Sequence, residues 1–388
     1  MFKRETKFYK RFDFFLVFIT IALVAYGLIM INSATATKTG GSFRYLRTQT
    51  IAFIAGAIGA AILVFIDYEI YGYFYIPIYV ISNLLLVAVL LWGFGEEEWG
   101  GSHWLRIGSI IFQPSEPAKF GVIIALAKMI DNNKDKINNF FVLIKVLIFA
   151  FIPVGLIVLQ GDLGTALVFV FFILVMLFAS KLSYKYILPV VGLVVICLVA
   201  GYLYLEDETD GFTKLSEDYR LTRIVIFFNP DLDPDDKGLQ VIQSKIAIGS
   251  GQMYGRGYMK GVQNQYGFVP TKETDFIYAI IVEEMGFIGG MVLIGLYFLL
   301  LFRLIKIAKT ANDTFGAEIV TGIMGMFLFH ILENIGMTMG LLPVTGIPLP
   351  FVSYGGTFML MNMASIGLVL GVGIKRGQGE RVSLNGVF

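Results

Sequence analysis

Apolar runs of about 20 residues recur along this chain of 388 residues. When helical, a run of this length spans the hydrocarbon core of a bilayer, which is roughly 30 Å thick. The sequence therefore predicts an all-α polytopic membrane protein with one integral membrane domain over residues 1–388. The ten predicted spans are 13–33, 48–66, 72–93, 115–130, 141–159, 162–180, 184–205, 275–302, 316–340 and 350–374.

Polar residues interrupt this pattern in two places. One is the fourth span, and the other is the break Gln160-Gly-Asp-Leu-Gly164 before the sixth. Polar interruptions at membrane depth are tolerated where protein or a water-filled cavity covers them. We therefore expect both places to face the interior. The first span has a basic flank like that of a signal peptide, but it is too long and more spans follow, which predicts an uncleaved helix.

A long polar segment, residues 206–274, separates the seventh and eighth spans and is predicted to be a large extracellular loop. Its stretch 219–230 is aromatic and basic, which suits a membrane or protein surface. Residues 238–251 predict a short amphipathic helix that ends at glycines. Loops of this length in compact proteins are usually functional. The alternative is a surface helix that only seals the bundle.

Composition supports the membrane class and excludes several functions. Hydrophobic residues make up 56% and charged residues 15%, against about 25% charged in soluble domains. The net charge of +1 makes nucleic acid an unsuitable partner. The two histidines, His103 and His330, form no metal-binding cluster in the sequence, so no metal site is predicted. The single cysteine, Cys197, excludes a disulfide within the chain.

The distribution of lysine and arginine predicts the orientation. In short loops and at span ends, seventeen fall on the side that carries both termini, and five fall on the other side. Because basic residues are enriched on the cytoplasmic side, both termini and the 375–388 tail are predicted to be cytoplasmic. Trp104, the 206–274 loop and Asp275 then face outward.

Asp275 lies where a polar loop becomes an apolar helix. Thr274 is the predicted cap of that helix, so Asp275 would fall in its first turn, where free N–H groups favour an ionised carboxylate. This predicts a fixed base at the membrane surface. The alternative is that Asp275 only complements the helix dipole.

The sequence contains several separated motifs: Trp104-Leu-Arg-Ile-Gly108, Gln113-Pro-Ser-Glu-Pro-Ala-Lys119, Gln160-Gly-Asp-Leu-Gly-Thr165, 240–251, Glu273-Thr-Asp-Phe-Ile277 and 342–356. Together they resemble the RodA/FtsW/SpoVE family of shape, elongation, division and sporulation proteins, known as SEDS. The resemblance covers nearly the whole chain, and the residues Gly346-Ile-Pro-Leu-Pro350 are closer to RodA-type members. Gly161 departs from it, since the family usually has proline there, and we expect a looser turn before Asp162.

The resemblance implies a peptidoglycan glycosyltransferase that polymerises lipid II at the outer face of the bacterial cytoplasmic membrane, in cell elongation and shape maintenance. An FtsW-like role in division also fits. Transfer from an α-linked diphosphate to a β-1,4 linkage inverts the anomeric carbon and needs one general base. A diphosphate leaves without protonation, so the second carboxylate of a glycosidase is unnecessary. Asp275 matches the position that the family uses for catalysis.

The departing diphosphate needs positive charge or N–H donors. Lys119 is three residues from Glu116 on one helix face, so they can pair, either for function or as a structural lock. The start of that helix at Ser115 could also offer N–H groups to phosphate. In the family this pair and Asp162 belong to a central polar cavity. The candidate cations are Arg106, Lys119, Arg220 and Arg223.

Trp104 can cover a sugar face, as the resemblance suggests, or merely anchor the chain at the interface. Gln240, Ser244 and Ser353 lie in matching blocks and are further substrate-binding candidates. We call residues 342–356 the rim segment; its prolines and glycines exclude a regular helix. It is predicted to be a re-entrant or turned rim against protein or substrate, or alternatively a rigid turn without ligand.

Other intramembrane polar residues have less specific predictions. Glu283 and Glu284 lie about two turns below Asp275, near 12 Å, too deep for the same hydroxyl, and are expected to support the site or line its cavity. His330, Glu333 and Asn334 are expected to bond to neighbouring helices, with a proton relay as the alternative.

The chain has no Walker or Rossmann motif, which disfavours a nucleotide-sugar donor. No cofactor is implied with certainty, although a diphosphate leaving group makes Mg²⁺ or Mn²⁺ plausible. The family pairs with a class B penicillin-binding protein. Two other functions stay open: a lipid II flippase, which needs no outward base, and a non-catalytic scaffold for the penicillin-binding protein.

Overall fold

A computed structural model describes residues 11–38, 41–95, 103–108, 110–183, 185–186, 227 and 237–375. Within these ranges the chain forms helices and one small sheet. The helices are α1 (Phe14–Ala34), α2 (Gly41–Phe65), α3 (Tyr68–Tyr73), α4 (Tyr75–Trp92), α5 (Ser115–Asn133), α6 (Phe140–Leu159), α7 (Leu163–Ala179), α8 (Lys237–Gly251), α9 (Val262–Gln265), α10 (Ile277–Lys309), α11 (Thr314–Met339) and α12 (Gly356–Lys375); the strands are β1 (Leu105–Ile107) and β2 (Ile110–Phe112).

Seven of the described helices are long and apolar enough to cross a membrane: α1, α2, α4, α6, α10, α11 and α12. Helix α7 is apolar but has only 17 residues, and α5 carries charged side chains. Residues 184 and 187–205 of the predicted seventh span, and residues 206–226 and 228–236 of the predicted loop, lie outside the described residues. The all-α polytopic fold is therefore confirmed, whereas the count of ten spans stays a prediction.

Helices α11 and α12 form the centre of the bundle. About 78% of the spanning window of α11 and 72% of that of α12 are buried, against 17% for α4 and 22% for α2. Helix α11 packs against α5, α7 and α10, and α12 packs along α2. Polar side chains on α11 are thus enclosed by protein rather than by lipid.

The described chain also holds a hairpin that the apolar pattern did not predict. Strands β1 and β2 pair antiparallel, with Arg106 opposite Ile111, and Phe94 bridges to Trp104 before the first strand. Gly108 at the turn has φ 62°, a value that glycine adopts without strain. The block around Trp104 is therefore extended.

The predicted span 275–302 implied one continuous helix, but α10 is interrupted. Gly286 has φ 72° and ψ −172° and separates two helical halves, 277–285 and 287–309. The loop 252–257 satisfies the backbone groups at this break: Arg256 N donates to Glu283 O (2.9 Å), Gly257 N donates to Glu284 O (3.0 Å), and Phe287 N donates to Gln252 O (2.8 Å). Such a break is stable at membrane depth because protein backbone replaces the lost helical bonds.

Two predicted boundaries require correction. Helix α10 begins at Ile277 with Phe276 at the cap position and no side-chain cap, so Thr274 does not cap it. Asp275 lies in the preceding turn rather than in the first helical turn. The Thr274 hydroxyl instead donates to Thr271 O at 3.1 Å. The last span begins at Gly356, because the rim segment before it is irregular, as predicted.

The predicted amphipathic helix 238–251 is confirmed as α8, which packs against α10 and α11. It lies at the same end of the bundle as Asp275, which we call the Asp275 end. Ion pairs join Arg303 to Asp13, and Lys375 to Asp67, at the opposite end. Arg303 and Lys375 were both among the basic residues predicted to share one side of the membrane, and they lie at the same end of the bundle. The leaflet to which each end belongs stays a prediction.

Candidate active site

The Asp275 turn, residues 271–276, lies between the start of α10 and the rim segment. The Asn334 side-chain amide donates both to Asp275 O (2.7 Å) and to Ile347 O (2.8 Å). A Cβ atom at Gly346 would lie 3.5 Å from Asp275 Oδ2, so the carboxylate faces the rim backbone. Asp275 is partly exposed, which leaves its side chain able to meet a substrate.

Three further contacts fix the backbone beside Asp275. Lys38, from the loop after α1, forms an ion pair with Glu273. Tyr354 N donates to Glu273 O at 2.9 Å, and the Ser353 hydroxyl donates to Thr274 O at 2.6 Å. The turn is therefore held by α1, α11 and the rim segment together.

Lys119 lies in a buried polar centre on α5. It donates to Glu116 Oε1 at 2.8 Å, which confirms the predicted pairing, and lies 3.1 Å from His330 Nε2. His330 Nδ1 lies 3.1 Å from Pro348 O. Because a carbonyl only accepts, we assign the ring proton to Nδ1 and the acceptor role to Nε2. Lys119 is 1% exposed.

One face of α11 connects this centre to Asp275. His330 and Asn334 are four residues apart and so lie one turn from each other on that face. Glu333 accepts from the Thr345 hydroxyl at 2.6 Å. Of the predicted bonds to neighbouring helices, the structure shows that of His330 to Lys119 on α5. Glu333 and Asn334 bond instead to irregular segments, and the rim segment is the element that all three contact.

Asp162 lies at the other side of the rim segment. It caps α7 by accepting from Thr165 N at 2.9 Å, and its second oxygen lies 3.9 Å from His103 Nδ1. A Cβ at Gly164 would lie 2.9 Å from Thr345 O, so α7 abuts the rim directly. Gly161 has φ 84°, which proline cannot adopt; this turn therefore differs from the family pattern.

The hairpin residues lie beside this region. Trp104 O accepts from Phe94 N at 3.0 Å, and the exposed Arg106 guanidinium lies 4.9 Å from the Phe94 ring centroid. Arg106 is thus available to an anion at the surface, whereas Lys119 is enclosed.

Two predicted substrate-binding serines are buried in this conformation. Ser244 is 0% exposed and donates to Thr338 O at 2.8 Å; Ser353 is 1% exposed and also accepts from Leu349 N at 2.8 Å. Their hydroxyls form hydrogen bonds with the protein's own backbone, so the geometry indicates a structural role for both serines. Gln240 lies on α8 and is partly exposed. Arg220 and Arg223 lie outside the described residues.

Glu283 and Glu284 bind a loop rather than lining an open cavity. Glu283 accepts from Gln263 N (2.7 Å) and Asn264 N (3.0 Å). Glu284 accepts from the Ser33 hydroxyl (2.6 Å) and the Asn264 side chain (2.7 Å). The expected support of the site is thus supplied through loop 252–270, which leads into the Asp275 turn.

Lys272 was not singled out from the sequence, although it immediately precedes the matching block Glu273–Ile277. It is 3% exposed and donates to Asn264 O and to the Thr37 hydroxyl. Burial, followed by repulsion from Lys38, lowers the pKa of Lys272. This lysine joins the α1 loop to the Asp275 turn.

Among the described residues no group of three or more histidine, cysteine, aspartate or glutamate side chains could hold a metal ion. A diphosphate-bound cation would take part of its ligands from the substrate, so Mg²⁺ or Mn²⁺ stays an expectation.

Comparison with known proteins identifies the family. Residues 14–377 match the family model for FtsW, RodA and SpoVE, described as "Cell cycle protein". The chain is 35% identical over 366 residues to "Probable peptidoglycan glycosyltransferase FtsW" of Trichlorobacter lovleyi, covering 93% of each chain. It is also 35% identical over 364 residues to "Peptidoglycan glycosyltransferase MrdB" of Escherichia coli K12, again covering 93% of each.

A solved structure described as "Structural coordination of polymerization and crosslinking by a peptidoglycan synthase complex" is similar throughout. Its TM-score is 0.78 at 31% identity, covering 95% of this chain and 99% of that one. The similarity in sequence and in fold extends over nearly the whole chain, so it includes the separated motifs. The chain belongs to the FtsW/RodA/SpoVE family of cell cycle proteins.

Proposed function

We propose that this protein is a peptidoglycan glycosyltransferase that polymerises lipid II by inverting transfer, with Asp275 as the general base. The names of the relatives support the activity. The observation that carries the assignment to Asp275 is its geometry: a partly exposed carboxylate on a turn whose backbone is bonded on both sides. A base of this kind keeps its position while its side chain stays partly exposed.

In the proposed reaction Asp275 accepts the proton of the acceptor sugar's 4-hydroxyl as that oxygen attacks the anomeric carbon of the donor. The bond from that carbon to the diphosphate breaks, and the diphosphate leaves with its electron pair. One carboxylate is enough because the leaving group needs no proton.

We propose different parts for the two cations near the site. Arg106 is exposed and can reach the diphosphate at the surface. The buried Lys119 ammonium bonds to Glu116 and His330, so it stabilises the rim segment through His330 and Pro348. Trp104 and Asp162, which flank the rim, remain candidates for contact with the sugar.

The proposed location is the bacterial cytoplasmic membrane with both termini inside, supported by the distribution of basic residues. The proposed partner is a class B penicillin-binding protein, supported by the likeness to a complex that combines polymerization and crosslinking. Relatives named FtsW and MrdB are equally similar, so elongation and division roles both stay open, and the wording of residues 346–350 favours the former.

The test is polymerisation of lipid II by the full-length protein with its penicillin-binding partner. Asp275→Asn keeps the size of the side chain and removes the base, so glycan synthesis should fall by at least about a hundredfold, the lower range for a general base. Asp135→Asn, at an exposed position in the α5–α6 connection, should retain full activity.

Lipid II binding to the same variants separates the alternatives. A polymerase predicts that Asp275→Asn still binds lipid II but makes no chains. Normal chain synthesis by Asp275→Asn would refute Asp275 as the base. The wild type with its partner could instead make no glycan, while both the wild type and Asp275→Asn move lipid II across vesicle membranes. That result would identify a flippase.

A further inference from the structure

Helix α2 carries one buried amide among small apolar residues. Most of this helix lies on the outside of the bundle, since 22% of its spanning window is buried. The buried residues form a narrow stripe at spacings of three and four: Gln49, Ala52, Gly56 and Ala60. Gln49 is 0% exposed. A buried amide is costly unless its donor and acceptor are both bonded, so its partners indicate what it does.

The small residues of the stripe fix the position of Gln49 relative to α12. A Cβ atom at Gly56 would lie 2.8 Å from Met363 Cβ, and a Cβ at Gly367 would lie 2.6 Å from Ala60 Cα. The backbones of α2 and α12 therefore approach closely, and such packing resists sliding of one helix along the other. Gln49 is held beside the start of α12, where the rim segment ends.

Both ends of the Gln49 amide bond to the backbone of the rim segment. Its Nε2 donates to Ser353 O at 3.0 Å, and its Oε1 accepts from Gly355 N at 3.0 Å. A carbonyl only accepts and a backbone N–H only donates, so these partners define the orientation of the amide. Gln49 thus fixes the last turn of the rim segment, residues 353–355.

The same turn holds the backbone that leads to the proposed base. The Ser353 hydroxyl donates to Thr274 O at 2.6 Å, and Tyr354 N donates to Glu273 O at 2.9 Å. Glu273 and Thr274 immediately precede Asp275. One residue, Ser353, therefore connects the amide on α2 to the Asp275 turn.

We infer that Gln49 is a positioning residue for the base, acting on Asp275 through Ser353 and the last turn of the rim segment. Because Gln49 is buried, it acts through these residues rather than on the substrate. Asn334 holds the Asp275 carbonyl from α11, whereas Gln49 holds the preceding residues from α2. The inference rests on the proposed role of Asp275 in catalysis.

The first test is steady-state polymerisation of lipid II by the full-length protein with its penicillin-binding partner. Gln49→Met keeps the length of the side chain but removes both hydrogen bonds. We expect kcat to fall about tenfold, because a displaced base reacts more slowly, while KM changes little. Thr48→Val is the matched control on the same helix, since the Thr48 hydroxyl donates to Arg44 O within α2, and it should retain the wild-type kcat.

Two further variants separate positioning from a general loss of stability. Ile307→Val, at a buried position in the long half of α10, should lower the unfolding midpoint and leave kcat unchanged. An equal loss of kcat in this variant would overturn the inference. Ser353→Ala should also lower kcat, and in combination with Gln49→Met the loss should fall well short of the product of the two single losses. Losses that multiply in full would show that Gln49 does not act through Ser353.

The outcome for Asp275→Asn distinguishes failure of this inference from failure of the proposed function. If Asp275→Asn is inactive and Gln49→Met keeps the wild-type kcat, the role of Gln49 is refuted and that of Asp275 stands. If Asp275→Asn retains full synthesis, the base itself is refuted, and the inference with it.

Gln49→Asn keeps the inference testable if Gln49→Met does not fold. It retains a buried amide but is shorter by one methylene, so it cannot hold both Ser353 and Gly355 at hydrogen-bond distance. We expect a lower kcat with little change in KM. Amide hydrogen exchange should also become faster in residues 271–276 and 353–355 than in the wild type. A wild-type kcat for Gln49→Asn would overturn the inference.

Discussion

At the scale of the residue, the site combines a backbone held by hydrogen bonds with a partly exposed carboxylate side chain, that of Asp275. The carbonyl of Asp275 is bonded by Asn334, and its neighbours Glu273 and Thr274 are bonded by the rim segment. The side chain itself is partly exposed. Holding a base through its backbone reduces the cost of positioning it for reaction.

Asn334 should therefore act as a positioning residue for the base. Asn334→Asp keeps the shape of the side chain but turns carboxylate oxygens toward two carbonyls that now lie at 2.7 and 2.8 Å. We expect kcat for lipid II polymerisation to fall about tenfold or more, equivalent to roughly 1.4 kcal/mol, with a smaller change in KM. Steady-state kinetics of the wild type and the variant at one temperature measures the changes in kcat and in KM separately.

Thr338→Val is the control for this prediction, since the Thr338 hydroxyl bonds only to carbonyls of its own helix. It should change kcat little. If Asn334→Asp altered the unfolding midpoint but left kcat intact, Asn334 would stabilise the fold without positioning the base.

At the scale of the element, the break in α10 shapes the approach to Asp275. Loop 252–257 occupies the break, and loop 259–264 binds Glu283 and Glu284 in the short half of the helix. Ser33 at the end of α1 reaches Glu284 as well. The short half of α10, together with the Asp275 turn that precedes it, is therefore tied to α1 and to the loop rather than to the rest of α10.

Gly286→Ala should disrupt this arrangement. The φ and ψ of Gly286 lie in a region that is essentially restricted to glycine, and a Cβ would lie 2.3 Å from Gly255 N. We expect a loss of about 2–4 kcal/mol in the free energy of unfolding and reduced polymerisation. Chemical or thermal unfolding in detergent measures the loss.

Gly295→Ala offers a matched control in the long half of α10, because a Cβ there meets nothing within 4 Å. That variant should be neutral or more stable by up to about 1 kcal/mol. Equal stability of the two variants would mean that α10 can close into a continuous helix.

At the scale of the whole molecule, the two ends of the bundle predict its orientation. Tyr254, 81% exposed, lies in the loop at the Asp275 end, and Asp135 is exposed in the α5–α6 connection, next to the Lys128–Asp131 pair. In a Cys197→Ser background, an impermeant thiol reagent should label Tyr254→Cys in right-side-out vesicles. Asp135→Cys should react only after permeabilisation, and the reverse pattern would invert the predicted topology.

The sequence by itself determined the membrane class, most span positions, the family and the pairing of Glu116 with Lys119. Each of these depends on composition or on residues close along the chain, for which helical spacing is sufficient. The same local reasoning gave two wrong boundaries. The last span begins at Gly356 rather than at residue 350, and Thr274 does not cap α10, because Thr271 and the rim segment determine the conformation of that turn.

Only the tertiary structure decided which distant residues complete the site. Lys119 and His330 are 211 residues apart, and Ser33 and Glu284 are 251 apart. Such contacts arise from the packing of helices whose order in space no local pattern encodes. The prolines and glycines of the rim segment predicted that it is irregular. The path that brings Gly346 to the carboxylate of Asp275 also depends on hydrogen bonds from α11 and α2, which no local pattern predicted.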